Sequence, residues 1–265
     1  ATITLPIVGD INAFYEAREG MRVTFSNTLT VSEYFELARY GTIELYQGGR
    51  PMQYTEINTP SVAGNTAYAD TLARRRVILD DDNDTENVTT TQTDGSQFIY
   101  HPRANGGFSV GTQGVDFFRG GDLVNGLTGV LHWSFSGGTS PSAWRIRPTA
   151  AAPVTFTVAN PRPAAPPAVG GSIKAVSMNM LNYFTTIDTT ASNSSGACAP
   201  TGTQDCRGAD SVAELVRQRE RASVVICSLG AQVYALMEME NTTPSATVTA
   251  LPRATRFPGF SNRRK

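Results

Sequence analysis

A proline-rich segment divides the chain into two parts of different character. Residues 160–171 read NPRPAAPPAVGG and contain four prolines followed by a Gly-Gly pair. Proline fixes φ near −65° and has no amide hydrogen. A proline-rich segment is therefore unsuited to the interior of a helix and to a central strand. We therefore predict a linker at 160–171, with one domain over residues 1–159 and a second over residues 172–265.

The sequence before the linker is typical of a β domain. Short apolar runs alternate with turn signals, and glycine pairs such as Gly48–Gly49 and Gly120–Gly121 supply positive-φ turn positions. We predict a β-barrel or β-sandwich with one long excursion over roughly residues 52–96. The clearest predicted strands are 21–25, 42–46, 76–80, 97–101, 126–135 and 143–147.

After the linker the hydrophobic pattern changes to strand, helix, strand. Residues 173–184 and 232–240 are apolar runs that predict buried strands. Between them, Ser211 and Glu214 have the spacing of a capping box, and apolar residues recur at helical spacing up to Gly230. This order begins a parallel α/β layer, so the predicted fold class is mainly β with a partial α/β unit after the linker.

The cysteines indicate the redox environment. Cys198 and Cys206 bracket a short loop of small and polar residues and predict a local disulfide, which is typical of oxidising compartments. Cys227 lies among apolar residues and is predicted to be a buried free thiol.

The net charge and the hydropathy pattern argue against bulk attraction to nucleic acid and against a membrane span. The net charge is −1, so the whole chain has no bulk attraction to nucleic acid, and a polyanion would need a local patch or a metal ion. No run of about 18 apolar residues occurs, so no membrane span is predicted.

Two polar residues are candidates for a metal site. Asn179 and Glu238 lie toward the C-terminal ends of the two predicted parallel strands, where open α/β sheets bind their ligands. Amide and carboxylate oxygens suit a hard cation such as Mg²⁺ or Ca²⁺. The spacing equally fits a simpler interpretation, in which Glu238 is a strand end that meets solvent.

Several motifs together resemble one family. After the linker these are NMLNYF, RGADS, LVRQRERA and ALMEMEN; before it they are EGMRVTF, LTVSEYFELARYG, ARRRVILDD and GLTGVL. They are similar to bacterial extracellular nucleases, in which an oligonucleotide-binding-fold-like domain precedes an endonuclease/exonuclease/phosphatase domain of the deoxyribonuclease-I-like fold. The resemblance covers nearly the whole chain up to Asn241.

The resemblance implies a function and a site. In the family the first strand ends in an Asn and the second in a Glu that binds the divalent metal, and Asn179 and Glu238 match these positions. The implied cofactor is Mg²⁺, with Ca²⁺ or Mn²⁺ as alternatives. The implied substrate is extracellular DNA, and the implied location is secreted, periplasmic or at the cell surface. The paired cysteines followed by CRGAD also look like this secreted group.

The histidines depart from the family pattern. The family's chemistry needs two histidines, with Asp and Asn partners, later in the domain, whereas this chain has only His101 and His132, both before the linker. No complete catalytic set is therefore predicted here, and we expect the chain alone to be inactive, as a fragment, a processed product or a degenerate relative. The alternative is a non-catalytic surface or filament-forming module with possible self-association through an open sheet edge. A phosphatase of the same fold is a third interpretation.

The first domain offers candidate nucleic-acid contacts. Trp133, Trp144 and Arg145 lie on adjacent predicted strands and could stack on bases, as oligonucleotide-binding barrels do. Packing within the sheet is the competing interpretation. The acidic run at 80–87 lacks the spacing of a calcium-binding EF-hand loop and predicts a solvated turn.

Overall fold

The computed structural model divides the chain into two compact units, Ala1–Arg162 and Pro163–Lys265. The division falls inside the segment predicted as a linker, where residues 161–170 are exposed and form neither helix nor strand. The structure describes residues 1–83, 101–102, 107–134, 142–188, 198, 200–204 and 206–241.

The first unit is mainly β and is built on a curled, mixed sheet of eight strands that forms a half-barrel. The strands are β1 Thr2–Ile3, β2 Arg22–Phe25, β3 Leu29–Glu33, β4 Ile43–Gln47, β5 Arg76–Leu79, β6 Leu123–Val124, β7 Thr128–Ser134 and β8 Ala143–Arg147. Their order across the sheet is β1-β2-β7-β8-β5-β4-β3-β6, with parallel pairing of β1 with β2 and of β5 with β8.

The core of this unit lies on one side of the sheet because the strands alternate between buried and open positions. In β2, for example, Val23 and Phe25 are buried while Arg22 is exposed. Burying such a side chain contributes roughly 1.5–3 kcal/mol. The core is assembled from residues distant in sequence: Ile3, Val23, Phe25, Leu29, Val31, Ile43, Leu45, Val77, Leu79, Leu131, Ile146 and Phe156 are among its members.

The predicted excursion begins with helices. The helices of the first unit are α1 Ile11–Glu16, α2 Leu37–Tyr40, α3 Tyr54–Ile57 and α4 Val62–Arg75. Helix α4 starts at Ser61, whose side chain accepts a hydrogen bond from the Gly64 amide at 3.1 Å. None of its residues is buried, so the sequence carries no apolar stripe that would have predicted it.

Most of the predicted strands of the first unit are present. The prediction at 143–147 coincides with β8, and those at 21–25, 42–46, 76–80 and 126–135 overlap β2, β4, β5 and β7. Strand β3 was not among the predictions. The predicted strand at 97–101 lies, except for its last residue, outside the described residues.

The second unit has the predicted strand–helix–strand order. It consists of β9 Ala175–Tyr183, α5 Val212–Leu229 and β10 Val233–Met239, and the two strands pair in parallel. Helix α5 begins where predicted, with the Ser211 hydroxyl accepting from the Glu214 amide at 3.2 Å, and ends at Gly230 with φ 57°. Glu214 accepts from the Asp210 amide at 3.1 Å.

The prediction that both strands of this unit are buried is wrong. Only Met180 and Tyr183 are buried in β9, and no residue of β10 is. The reason is that α5 covers one face of the pair. Alternate residues therefore pack against the helix in a small core that includes Met178, Met180, Tyr183, Leu215, Ala222, Ile226 and Leu236.

The predicted disulfide is confirmed. Cys198 and Cys206 are bonded and buried, and the Cys198 amide also donates to the Gln204 carbonyl at 3.0 Å across the loop. Cys227 is a free thiol on α5, as predicted, but it is half-buried and not fully buried. Among the helices that the structure describes, none combines the length and apolar character needed to cross a bilayer.

Candidate metal centre

Asn179 lies in the middle of β9, and Glu238 lies near the C-terminal end of β10. The parallel register sets Met237 opposite Asn179 and then shifts between Met237 and Met239, so Glu238 occupies an irregularity next to that pair. Both Asn179 and Glu238 are exposed. Their side chains therefore meet solvent, where a ligand can reach them.

The backbone at this end of the sheet is strained. Leu181 and Asn182 both have φ 55°, and Glu238 has φ 56°. The left-handed region costs a residue with a Cβ roughly 1–2 kcal/mol, although Asn tolerates it better than others. Of the four such non-glycine residues in the described chain, three lie here. Strained conformations of this kind concentrate at functional sites, so the cluster marks these strand ends as a candidate.

Hydrogen bonds fix both candidate side chains to the strained backbone. The Leu181 amide donates to Oδ1 of Asn179 at 2.7 Å, and the Asn182 amide donates to Oε2 of Glu238 at 3.2 Å. The second bond joins the end of β10 to the end of β9. The carboxylate and the carboxamide are thereby oriented by neighbouring peptide groups.

The oxygen atoms present fit part of a hard-cation site. Oε1 of Glu238 accepts no hydrogen bond from the residues that the structure describes. Oδ1 of Asn179 has a second lone pair beyond the one used by Leu181. Mg²⁺ is commonly held by one or two protein carboxylates while it keeps several waters. Within the described ranges, no group of three or more His, Cys, Asp or Glu residues could hold a metal ion, so these two residues supply at most part of a coordination sphere.

Sequence reasoning missed the residue that anchors this end of the sheet. Glu240 is buried, and its carboxylate accepts four hydrogen bonds from the loop that follows β9. Thr185 donates its amide and hydroxyl at 2.8 and 2.9 Å, and Thr186 does so at 3.0 and 2.6 Å. The signal that could have found it was the Thr-Thr pair after the strand, because hydroxyl residues readily satisfy a buried carboxylate.

The two tryptophans of the first unit lie side by side, as predicted. Trp133 on β7 pairs with Trp144 on β8, and their ring centroids are 5.0 Å apart in an edge-to-face arrangement. Nε1 of Trp144 donates to Oδ1 of Asn12 at 3.2 Å, while Trp133 is 43% exposed. Both line a cavity of about 270 Å³ that also includes Tyr15. Base stacking by this pair remains a prediction.

Arg145 is not a surface residue, so its assignment as a nucleic-acid contact is corrected. Its side chain is 1% exposed, and Nη1 forms an ion pair with Oδ2 of Asp80 at 3.2 Å. A guanidinium buried in the sheet requires a carboxylate partner, which Asp80 supplies.

The same ion pair corrects the interpretation of the acidic run at 80–87. Asp80 and Asp81 are buried, and Asp80 also pairs through Oδ1 with Nε of Arg147 at 3.2 Å. The first residue of the run, Asp80, is therefore a buried partner of two arginines, and the run does not begin as a solvated turn. Residues 84–87 lie outside the described residues.

No family model, curated protein or solved structure matches this chain. The family resemblance carried by the motifs therefore stays a prediction, and the candidate site rests on its geometry.

Proposed function

We propose that this chain is part of a secreted, divalent-metal-dependent nuclease that hydrolyses phosphodiester bonds of extracellular DNA. Asn179 and Glu238 contribute oxygen ligands for its metal ion, Mg²⁺ in the first instance. The observation that carries the proposal is the position of these two groups beside the register shift of neighbouring parallel strands, where each accepts a hydrogen bond from an amide of the strained backbone.

The proposal includes a finer assignment of both units. The eight-stranded half-barrel is compatible with an oligonucleotide-binding-like domain. The β9–α5–β10 unit is compatible with the start of an endonuclease/exonuclease/phosphatase domain. The motifs quoted above support both assignments, because they occur in the same order in the family that they resemble.

A divalent cation would supply charge neutralisation of the scissile phosphate and activation of water. The residues of this chain would hold and orient that charge: Glu238 through its carboxylate and Asn179 through its carboxamide. In this proposal both groups are occupied by the metal ion, so hydrolysis needs a further residue as general base. No histidine follows His132, so we propose that this chain alone is inactive.

The disulfide supports the proposed location. Bonds such as Cys198–Cys206 persist outside the reducing cytoplasm, so a non-cytoplasmic compartment fits the chain. Among non-cytoplasmic locations, we propose that the protein is secreted.

Metal binding tests the proposal on the chain itself. Mn²⁺ serves as the probe, and electron paramagnetic resonance measures the free ion in a titration. We expect Glu238→Gln to weaken Mn²⁺ binding at least tenfold, whereas Glu220→Gln, an exposed Glu on α5, leaves it unchanged. Equal binding by both variants would remove the metal assignment.

Hydrolysis is tested in the natural protein as its gene encodes it. The same two substitutions are compared in Mg²⁺ with plasmid DNA as substrate. Loss of a metal ligand removes several kcal/mol of transition-state stabilisation, so Glu238→Gln should abolish cleavage. Full activity in that variant contradicts the proposal.

One observation favours a second candidate, a non-catalytic module that self-associates. On the face of the β9–β10 pair opposite α5, Val233 and Met237 are 54% and 48% exposed. Neither strand is paired on its outer edge by a described residue. Such edges pair readily with another chain. Light scattering on the purified chain distinguishes the candidates, since a monomer at every concentration contradicts assembly.

A further inference from the structure

A cavity lies between β9 and α5 in the second unit. Its volume is about 490 Å³, within the range of roughly 300–1,000 Å³ that is usual for ligand sites. It is bounded by one side of β9, by the first half of α5 and by the segment at 207–209. Its polar lining consists of Arg207, Arg217 and Arg221, the amides of Asn179, Asn182 and Gln218, and Glu214.

The three arginines outnumber the one carboxylate, Glu214, among the described lining residues and give this cavity a net positive charge. None of them forms an ion pair or a side-chain hydrogen bond with a residue that the structure describes. Arg217 and Arg221 are four residues apart on α5, so they lie on the same side of the helix and repel each other. This local surplus contrasts with a whole-chain net charge of −1.

Two other polar side chains of the cavity form hydrogen bonds within the chain. Glu214, the one carboxylate among the described lining residues, accepts from the Asp210 amide at the start of α5. Gln218 donates Nε2 to the Leu181 carbonyl at 2.9 Å, which ties the helix to the strained end of β9. The guanidinium groups, together with the Nδ2 atoms of Asn179 and Asn182, are thus the described donors that remain open to a ligand.

We propose that this cavity binds backbone phosphates of a nucleic acid. Guanidinium groups bind phosphate oxygens in bidentate fashion and are less strongly hydrated than ammonium groups, which suits them to this role. The cavity reaches Asn179, so a strand held by the arginines passes beside the proposed metal centre. The inference rests on the proposed function and names the part of the chain that holds the substrate.

A DNA-binding measurement in the absence of divalent metal, where no hydrolysis occurs, tests this proposal. The full chain is titrated into a fluorescein-labelled single-stranded 12-mer in EDTA, and fluorescence anisotropy gives Kd. We expect Arg217→Gln/Arg221→Gln and Arg207→Gln to weaken binding, the double variant by at least about tenfold. The control is Arg219→Gln, which removes the same charge from α5 at a residue outside the cavity lining. Circular dichroism verifies that every variant is folded.

Salt dependence provides a second readout. For single strands the magnitude of the slope of log K against log salt falls by about 0.7 for each phosphate that the protein no longer neutralises. The slope of the double variant should therefore be smaller by about 1.4, and Arg219→Gln should keep the wild-type slope. Equal Kd values and slopes for cavity and control variants overturn the proposal, as does the absence of DNA binding by the wild type.

Two further measurements identify the ligand and distinguish a failure of this inference from a failure of the proposed metal site. Displacement of the 12-mer by inorganic phosphate at the same phosphate concentration would reassign the cavity to free phosphate and overturn the nucleic-acid inference. Glu238→Gln should bind the 12-mer like the wild type in EDTA. If that variant of the natural protein still hydrolyses DNA, only the metal assignment fails; if the cavity variants bind normally while Glu238→Gln is inactive, only this inference fails.

Discussion

The amide of Asn182 donates a hydrogen bond to Oε2 of Glu238 at 3.2 Å, and both residues have a left-handed backbone. The bond joins β9 and β10 at the place where their backbone register shifts. Because the acceptor is a carboxylate, the contact is stronger than a neutral hydrogen bond. The strained backbone and the orientation of Glu238 are therefore parts of one local structure.

Relief of this strain should stabilise the chain. Leu181 is 77% exposed with φ 55°, so its side chain contributes little burial while its backbone is unfavourable. We expect Leu181→Gly to raise the free energy of unfolding by about 0.5 kcal/mol, since the left-handed penalty exceeds the entropy that glycine adds to the unfolded chain. Urea unfolding followed by circular dichroism measures the change.

The matched control is Met237→Gly on β10. Met237 is 48% exposed and is not among the residues with positive φ. Glycine there lacks any strain to relieve and should lower the free energy of unfolding by roughly 0.5–1 kcal/mol. If both glycine variants are destabilised alike, Leu181 is not strained.

Local signals in the sequence predicted the elements that local interactions determine. Residues 143–147 became β8, and α5 begins after Ser211 and ends at Gly230, because capping and alternation act within a few residues. The cysteine pair was predicted for the same reason. The parallel pairing of the strands that carry Asn179 and Glu238 was predicted from their strand–helix–strand order, whereas the role of these two residues as metal ligands stays a prediction.

Features that depend on partners distant in the sequence were not predicted. Arg145 was expected near the surface because nothing local identifies Asp80, 65 positions away, as its partner. The arginine cavity forms only when the segment after Cys206 packs beside α5 and β9. No residue of helix α4 is fully buried, so the helix presents no strongly apolar face of the kind on which helix prediction relies.

The buried ion pair of Arg145 should be essential to the first unit. Replacement of Arg145 by Met leaves Asp80 buried with Arg147 as its ion-pair partner and the Asp82 amide as a hydrogen-bond donor, so we expect a loss of about 3 kcal/mol, the lower end of the range for breaking a buried pair. The fluorescence of Trp133 and Trp144, which lie beside it, reports unfolding in urea. Arg76→Gln removes a partly exposed pair with Glu44 and should cost at most about 1 kcal/mol. Similar losses in both variants would contradict the distinction.

Asp122 should make the first unit sensitive to acid. It is fully buried; burial would raise its pKa, but hydrogen bonds from the Ala159 amide, Gln113 and the amides of Arg119 and Asn160 outweigh this and hold the pKa below its usual value. A group whose pKa is depressed by folding stabilises the folded state fully above its unfolded pKa, near 4, and loses that contribution as pH falls through the folded value.

We therefore expect the free energy of unfolding to fall more steeply below about pH 4 in the wild type than in Asp122→Asn, which has no proton to gain. Urea titrations at several pH values, read by tryptophan fluorescence, give both curves. Glu16→Gln changes an exposed carboxyl and should follow the wild-type curve. Parallel curves for Asp122→Asn and the wild type would show that Asp122 is not a source of the acid sensitivity.

The disulfide should restrain the segment that precedes α5 and so slow amide exchange at the start of that helix. Cys198 and Cys206 are eight positions apart, and closing so short a loop stabilises the folded state by roughly 2–3 kcal/mol through the entropy of the unfolded chain. In Cys198→Ser/Cys206→Ser, the amides of α5 near Ser211 should therefore exchange with solvent faster, by up to about a hundredfold, because this helix packs on the segment that the bond restrains. Hydrogen exchange read by mass spectrometry gives the rates, and Cys227→Ser, which removes only a free thiol, should exchange like the wild type. Unchanged exchange in the double variant would mean that packing of buried residues such as Ala209 and Ala222 is sufficient to hold the segment in place.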